Sequence, residues 1–192
     1  IAKGSYQYEL DIEYPFALVA QGESPDSPVH IIPAWWFMYD MFAIVRNKYK
    51  FSARDKRIQK IQHIETDPFA PDTMQEVEDA IDRLIDLTAE NLSELAPERA
   101  EKADTPEKLR QAGKDFLHSK EAQSFTLHDN ICQKKYGSII YKPGNAYKMY
   151  RKIIKYFCTK TIVDFCSDNG FETVTEEVIE KIRKIPLYTD WE

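Results

Sequence analysis

Glycine is scarce in this chain: six glycines occur among 192 residues, well below the usual frequency of roughly 7%. Architectures that need glycine at regular positions, such as repeat β-solenoids and phosphate-cradling loops, therefore lack their characteristic residue. The motifs G-x-x-x-x-G-K-[ST], G-x-G-x-x-G and G-x-S-x-G are also absent. The sequence predicts no catalytic residue within the chain, and helix is the default secondary structure.

Long apolar runs and paired cysteines are missing as well. The longest apolar run, residues 34–45, is broken by a charge and is too short for a bilayer, which needs about 20 residues. Cys132, Cys158 and Cys166 form no C-x-x-C pair, and an odd number of cysteines cannot all be bridged within one chain. We expect buried thiols, a reducing cytoplasmic location and no membrane partner.

Metal-ligand patterns are not found either. The histidines are dispersed and fit neither H-E-x-x-H nor a comparable spacing of ligands. They are His30, His63, His118 and His128. We therefore expect no metal site and no cofactor.

Helical periodicity dominates the chain from Ala34 onward. Apolar residues three and four apart predict a first helix over about residues 34–49, which should be enclosed because it is apolar almost all round. Capping boxes, N-caps and a left-handed stop predict four further helices. These cover about residues 73–95, 105–117, 145–168 and 173–185.

The remaining segments are extended. Residues 1–33 alternate in places and then carry four prolines, which indicates an extended arm or linker that leaves an upstream domain. Residues 136–142 are β-prone and predict a short strand. The predicted fold is mainly α, a bundle of about five helices with an extended N-terminal arm and one short β-strand or hairpin. Residues 34–192 would form a single helical domain.

Charge is segregated, although the net charge is only −6. Residues 46–60 hold seven basic side chains and one acid, and residues 65–101 hold twelve acids and two arginines. Residues 134–160 hold eight basic residues and no acid. The simpler interpretation is that the acidic helix neutralises the basic ones, because charge runs are usually solvated faces.

Four cations have the spacing of one helical face. Arg46, Lys50, Arg54 and Arg57 fall at i, i+4, i+8 and i+11. Such a row could bind phosphate or carboxylate, with arginine giving bidentate contacts. A structural account, in which Asp55 and the acidic helix pair with these arginines, is equally compatible with the sequence.

Asp40 is the one charge in an aromatic segment. A buried, unpaired carboxylate is strongly disfavoured, so we expect a buried acid with a cation or a backbone donor beside it. A catalytic acid is the alternative, but no second carboxylate stands nearby in the sequence to form a pair.

Nucleic-acid binding is an alternative for the basic helices, since tyrosines are interleaved with their cations. The isoelectric point near 5.4 argues against it. The aromatic spacing over residues 150–165 is also more typical of a core than of a surface for base stacking.

Several strings resemble one family. Residues 1–12 (Ile-Ala-Lys-Gly-Ser-Tyr-Gln-Tyr-Glu-Leu-Asp-Ile) and 15–19 (Pro-Phe-Ala-Leu-Val) resemble the exit segment of an uncharacterised bacterial family of large hexapeptide-repeat, left-handed β-helix proteins. Further strings are similar to the segment that follows in that family. They lie at residues 33–39, 43–47, 54–57, 62–65, 141–143 and 146–147.

The resemblance implies a bacterial protein whose β-helix precedes Ile1 and whose architecture is related to acyl- and nucleotidyl-transferring enzymes acting on sugar nucleotides. This chain contains no hexapeptide repeat, so any catalytic residue on the β-helix lies outside it. A β-helix end needs a cover for its strand edges and apolar rungs. We therefore expect a helical C-terminal accessory module that caps the parent protein or helps it oligomerise.

The expected partners are the upstream β-helix domain of the same polypeptide, a second copy, and a phosphate-bearing ligand on the Arg46 to Arg57 face. Two other functions stay open. One is a sugar-nucleotide or acyl-group transferase domain that binds phosphates through the same face. The other is a nucleic-acid-binding helical module, which the overall charge disfavours.

Overall fold

A computed structural model of the chain describes residues 1–6, 9–24, 27–59, 61–62, 64–129 and 137–183. Within these ranges the chain forms five strands and eight α-helices, with a 3₁₀ turn at Glu121–Gln123. The strands are β1 (Ala2–Lys3), β2 (Leu18–Ala20), β3 (Val29–Ile32), β4 (Thr126–Asp129) and β5 (Ser138–Tyr141). The helices are α1 (Trp35–Tyr39), α2 (Met41–Arg54), α3 (Pro71–Glu90), α4 (Leu92–Leu95), α5 (Pro97–Ala100), α6 (Pro106–His118), α7 (Pro143–Asp168) and α8 (Glu176–Arg183).

The fold is mixed α/β with a five-stranded sheet, so the predicted mainly α bundle of about five helices is wrong. The strands form one sheet in the order β1-β2-β3-β5-β4. β1 pairs with β2 and β3 with β5 in parallel, and the other two pairings are antiparallel. The predicted N-terminal arm is also wrong, because residues 1–33 supply three of the five strands. β5 lies within residues 136–142, where the sequence predicts a short strand.

The register of the sheet explains its buried face. Val19 pairs with Ile31, Ile31 with Ile140, and Ile140 with Leu127, so that four apolar residues form one row across β2, β3, β5 and β4. All four are buried, with at most 5% exposed. Because side chains alternate along a strand, their neighbours point to the other face. Burial of this row links strands β2 and β3, near the start of the chain, to strands β4 and β5, which lie beyond residue 125.

Helix α3 packs beside the sheet, against β4, and buries one face. Met74, Val77 and Leu84 recur at helical spacing on its apolar face and are fully buried. Helix α6 packs against α3 at close range, because Gly113 lies directly over Ala89. A Cβ atom on Gly113 would lie 2.9 Å from the Ala89 nitrogen.

The predicted helix starts have mixed outcomes. Thr105 caps α6 as predicted, since the Lys108 backbone nitrogen donates to its Oγ1 at 3.3 Å. The capping box at Thr73 is wrong, because α3 begins at Pro71 and Thr73 lies inside its first turn. Proline is favourable there, since its missing N–H needs no partner at a helix start.

The ends of α7 and α8 show the same pattern. α7 begins at Pro143, two residues before the predicted cap Asn145. Gly170 confirms the left-handed stop, with φ +71°. α8 is capped by Thr175 rather than the predicted Thr173, since the Val178 nitrogen donates to Thr175 Oγ1 at 3.4 Å.

The chain divides into two compact units, residues 1–151 and 152–192. In the second, Phe165 and Phe171 stack with ring centroids 6.2 Å apart, and Lys181 Nζ lies 4.8 Å from the centre of the Phe171 ring. The prediction of buried thiols is confirmed for Cys166 and wrong for Cys158, which is exposed, and Cys132 lies outside the described residues. That residues 1–33 follow an upstream domain stays a prediction. No helix in the described ranges combines the length and apolar character needed to cross a bilayer.

Candidate anion-binding cleft and outer face of helix α2

The first predicted helix is broken at Asp40, which separates α1 from α2 with φ −148° and ψ 50°. Asp40 is exposed, so the expectation of a buried acid is wrong. The break explains this: the chain changes direction at Asp40, and its carboxylate reaches water instead of entering a continuous apolar helix. The solvated carboxylate needs no buried partner.

The predicted enclosure of this segment is also wrong. Met41, Phe42, Val45 and Tyr49 are 59%, 73%, 65% and 74% exposed, and only Ala43 of α2 is buried. At 3.6 residues per turn these four side chains lie within about 100° of one another around the helix axis. We call this set the outer face of α2. It is an apolar surface that the described residues leave open to water.

The opposite side of α2 borders a cleft of about 840 Å³. Helical geometry places its lining residues Asn47, Lys50, Phe51 and Arg54 roughly 180° from the outer face. The other lining residues are Asp55, Lys56, Arg57 and Ile64. We call this space the basic cleft.

The basic cleft brings together three of the four cations predicted to bind an anion. Lys50, Arg54 and Arg57 line it, whereas Arg46 does not. Arg46 belongs to the same helix, but its position lies between the outer face and the cleft. The predicted row of four is thus divided by the real path of the chain, since α2 ends at Arg54 and helical spacing no longer applies at Arg57.

Arg57 is engaged by its neighbours. Its Nε and Nη2 atoms donate to Asp55 Oδ1 and Oδ2, both at 2.8 Å, and its Nη1 donates to the Gln62 carbonyl at 3.2 Å. The bond to Asp55 raises the pKa of Arg57. Arg57 is therefore paired with Asp55, as the structural interpretation of these cations predicts. Its bidentate contact holds this side of the basic cleft in place.

Lys50 and Arg54 are different. They lie one turn apart on α2 and form no ion pair with any of the described residues. Two like charges at this spacing repel each other. The pair is therefore the part of the predicted site that is available to an anion.

The acidic helix does not neutralise α2 among the described residues. Lys48 of α2 does form an ion pair, with its Nζ 3.1 Å from Asp67 Oδ2, but Asp67 precedes α3 and is not part of the acidic helix. Asp82 and Asp86 of α3 pair instead with Arg110 of α6, at 2.5 and 2.7 Å. The acidic charge of α3 is thus balanced in part by α6.

A buried polar cluster was not predicted. The Asp129 carboxylate is fully buried on β4 and accepts hydrogen bonds from Tyr14 Oη at 3.1 Å and from Arg83 Nε at 3.2 Å, with Arg83 Nη2 on its other oxygen. Burial and the Asp129 charge raise the pKa of Tyr14, and the bond to Asp129 raises that of Arg83. The sequence contained one signal of this cluster, because Arg83 is the single cation of the acidic helix α3.

A second unpredicted cluster surrounds His118 at the end of α6. Its Nε2 atom lies 3.0 Å from Tyr147 Oη and 2.8 Å from Arg151 Nη1. Because guanidinium only donates, this nitrogen must be the unprotonated acceptor. Burial and then Arg151 lower the pKa of His118. Lys148 donates to the Ser119 carbonyl at 3.1 Å, so these cations stabilise a helix C-terminus.

Both unpredicted clusters consist of side chains that bind one another. Asp129 is fully enclosed by its partners, and the His118 side chain contacts a tyrosine and an arginine. Across the described ranges, no group of three His, Cys, Asp or Glu side chains could hold a metal ion. The basic cleft and the outer face of α2 are therefore the candidate functional surfaces.

One relative of this chain is an uncharacterized protein of Treponema pallidum (strain Nichols). The two are 37% identical over 164 residues, which cover 84% of this chain and 21% of the relative. The chain thus spans about a fifth of the length of the relative that it matches. No family model and no solved structure matches the chain.

Proposed function

We propose that this chain is an accessory module of a longer polypeptide and that it docks on the remainder of that polypeptide through the outer face of α2. The upstream partner in this proposal is a β-helix domain whose end the module covers. The exposed apolar side chains of α2 carry the proposal. Their position on one side of a helix is typical of a protein contact surface.

The energetic argument rests on Met41, Phe42 and Val45. Each such side chain stabilises a complex by roughly 1.5–3 kcal/mol when it is fully removed from water. While they stay exposed to water, these side chains contribute no such burial free energy to the fold of this chain. Arg46 and Lys48 lie beside this surface and are exposed, so the contact would have an apolar centre with a charged rim.

The length of the relative favours a covalently linked partner. Four fifths of that protein lies outside the aligned region, and tethering two surfaces raises their effective concentration. The end of a β-helix presents strand edges and apolar rungs that need a cover. A helix with an open apolar face suits that requirement.

The test uses the full-length polypeptide and the variant Val45→Asp. We expect the backbone amides of α2 to exchange with deuterium more slowly in the full-length protein than in this chain alone, because docking stabilises the helix. Val45→Asp should remove that difference, since it places a charge in an apolar contact. Hydrogen–deuterium exchange with peptide-level detection measures both effects.

Val163→Asp is the matched control, because Val163 is also an exposed helical valine, at 58%. Each substitution should change the stability of this chain alone by less than about 0.5 kcal/mol. Equal exchange of α2 in the two proteins would overturn the proposal. So would self-association of this chain that Val45→Asp abolishes, because the outer face would then join two copies.

The alternatives have weaker support. A sugar-nucleotide or acyl-group transferase domain is favoured only by the basic cleft, which holds Lys50, Arg54 and Arg57. For a nucleic-acid-binding module, absence of a salt-sensitive gel shift at low ionic strength would exclude the function. A cytoplasmic location belongs to the same proposal, on the grounds of the odd cysteine count alone.

A further inference from the structure

We propose that the basic cleft binds a small phosphorylated molecule that also carries an apolar group. Lys50 and Arg54 would contact the phosphoryl oxygens, and Phe51 with Ile64 would contact the apolar group. This inference goes beyond the docking function and does not depend on it, because the basic cleft and the outer face lie on opposite sides of α2.

The charge of the lining favours an anion. Four of the eight lining residues are cationic and one is a carboxylate. The carboxylate of Asp55 is engaged by Arg57, so it does not cancel the charge of Lys50 or Arg54. A phosphoryl group between these two side chains would relieve their repulsion and satisfy several of their donors at once.

The same lining has an apolar part. Phe51 is 37% exposed and Ile64 is 38% exposed, although both are large hydrophobic side chains. An aromatic ring or an acyl chain attached to the phosphate could pack on them, because an aromatic face accepts planar groups. The volume of about 840 Å³ is within the range of small-molecule sites.

The wall opposite α2 is already fixed in the chain without a ligand. Arg57 makes a bidentate contact with Asp55 and a third bond to the Gln62 carbonyl. A ligand therefore does not have to order this contact when it binds, which lowers the entropic cost of association. Arg57 acts here as a positioning residue and not as a ligand contact.

The test measures binding of p-nitrophenyl phosphate, inorganic phosphate and p-nitrophenol to the full chain by NMR. We expect chemical-shift changes at the amides of Asn47, Phe51 and Ile64, with affinity in the order p-nitrophenyl phosphate, inorganic phosphate, p-nitrophenol. Arg54→Gln and Lys50→Gln should each weaken binding of p-nitrophenyl phosphate by about tenfold, since a bond to a charged group is lost.

Arg46→Gln is the matched control, because Arg46 is an exposed cation of the same helix outside the basic cleft. It should leave binding within about twofold of the original chain, which is the scatter expected for a distant surface charge. Circular dichroism should show all three variants folded, because none of these side chains has an ion-pair partner among the described residues.

Three results would overturn the inference. They are the absence of shifts at millimolar p-nitrophenyl phosphate, an equal loss of binding in Arg46→Gln and Arg54→Gln, and equal affinity for p-nitrophenyl phosphate and inorganic phosphate. Val45→Asp should leave ligand binding unchanged while it disrupts docking. The two proposals can therefore fail separately.

Discussion

The carboxylate of Asp129 is the clearest case of a residue defined by partners that are far away in the chain. Its side chain has no solvent exposure, and its charge is balanced by Arg83, 46 residues away, while Tyr14 donates from 115 residues away. A buried ion pair is costly to form, but removal of one partner is costlier, because the remaining charge stays buried. Nothing in the local sequence around Asp129 indicates these partners.

Arg83→Gln should destabilise the first unit by on the order of 3 kcal/mol, because it leaves the Asp129 charge uncompensated. Urea denaturation followed by circular dichroism measures the change. Arg110→Gln is a matched control, since Arg110 also contacts two carboxylate oxygens but at an exposed position. It should cost less than about 1 kcal/mol. Equal losses for the two variants would contradict the structural role of Asp129.

At the level of elements, the sequence predicted most of the helical regions and missed most of the strands. Helices α3, α6 and α7 carry an apolar residue every three or four positions, so their pattern is visible over many turns. The strands have two to four residues, which is too short for alternation to be distinguished from chance. The breaks inside predicted helices, at Asp40 and Asn91, were not visible because no proline or glycine occupies either position.

The contact between α3 and α6 gives a prediction at this scale. Gly113→Ala should destabilise the chain by about 1–3 kcal/mol through overpacking, even though alanine favours helix over glycine. The reason is the short approach to the backbone of Ala89, which cannot move as a side-chain tip can. Thermal unfolding measures the change.

Gln111→Ala is the control for helix propensity, because Gln111 is exposed on the same helix. It should change stability by less than about 0.5 kcal/mol. A stabilised Gly113→Ala variant would show that α6 can move away from α3 at little cost.

At the scale of the whole molecule, the sheet joins the N-terminal residues to the second half of the chain. β3 pairs with β5, whose residues lie more than 100 positions later. Ala34, which follows β3, donates its backbone N–H to Tyr150 Oη, and that hydroxyl donates to the Pro15 carbonyl. Residues 1–33 are therefore part of the fold of the first unit.

Removal of residues 1–33 should abolish the cooperative unfolding transition of the first unit, because β5 loses β3 and the buried row loses Val19 and Ile31. Circular dichroism against urea concentration tests this. A single substitution supports it: Ile31→Ala should cost about 2–5 kcal/mol. Ile32→Ala, a partly exposed neighbour on the other face, should cost clearly less. An unchanged transition in the truncated chain would show that residues 1–33 form an arm on which the fold of the first unit does not depend.

The candidate site was predictable in part. Lys50 and Arg54 were found because both belong to one continuous helix, where spacing alone fixes the face. Spacing did not show that Arg57 lies beyond the end of α2 or that Arg46 lies outside the basic cleft. Both facts depend on where α2 ends and on what packs against it. The exposure of the outer face was missed because apolar composition shows that a side chain favours burial, and does not show what buries it.

The sequence by itself determined the helical segments of this protein, the clustering of cations over residues 46–57 and the aromatic content of α1 and α2, because these depend on local spacing and composition. The tertiary structure decided the sheet order, the partners of Asp129 and the division of the cations between a cleft and a solvated surface. These features require residues tens of positions apart to meet. Their free energy comes from burial and pairing in the folded chain, which local propensity does not contain.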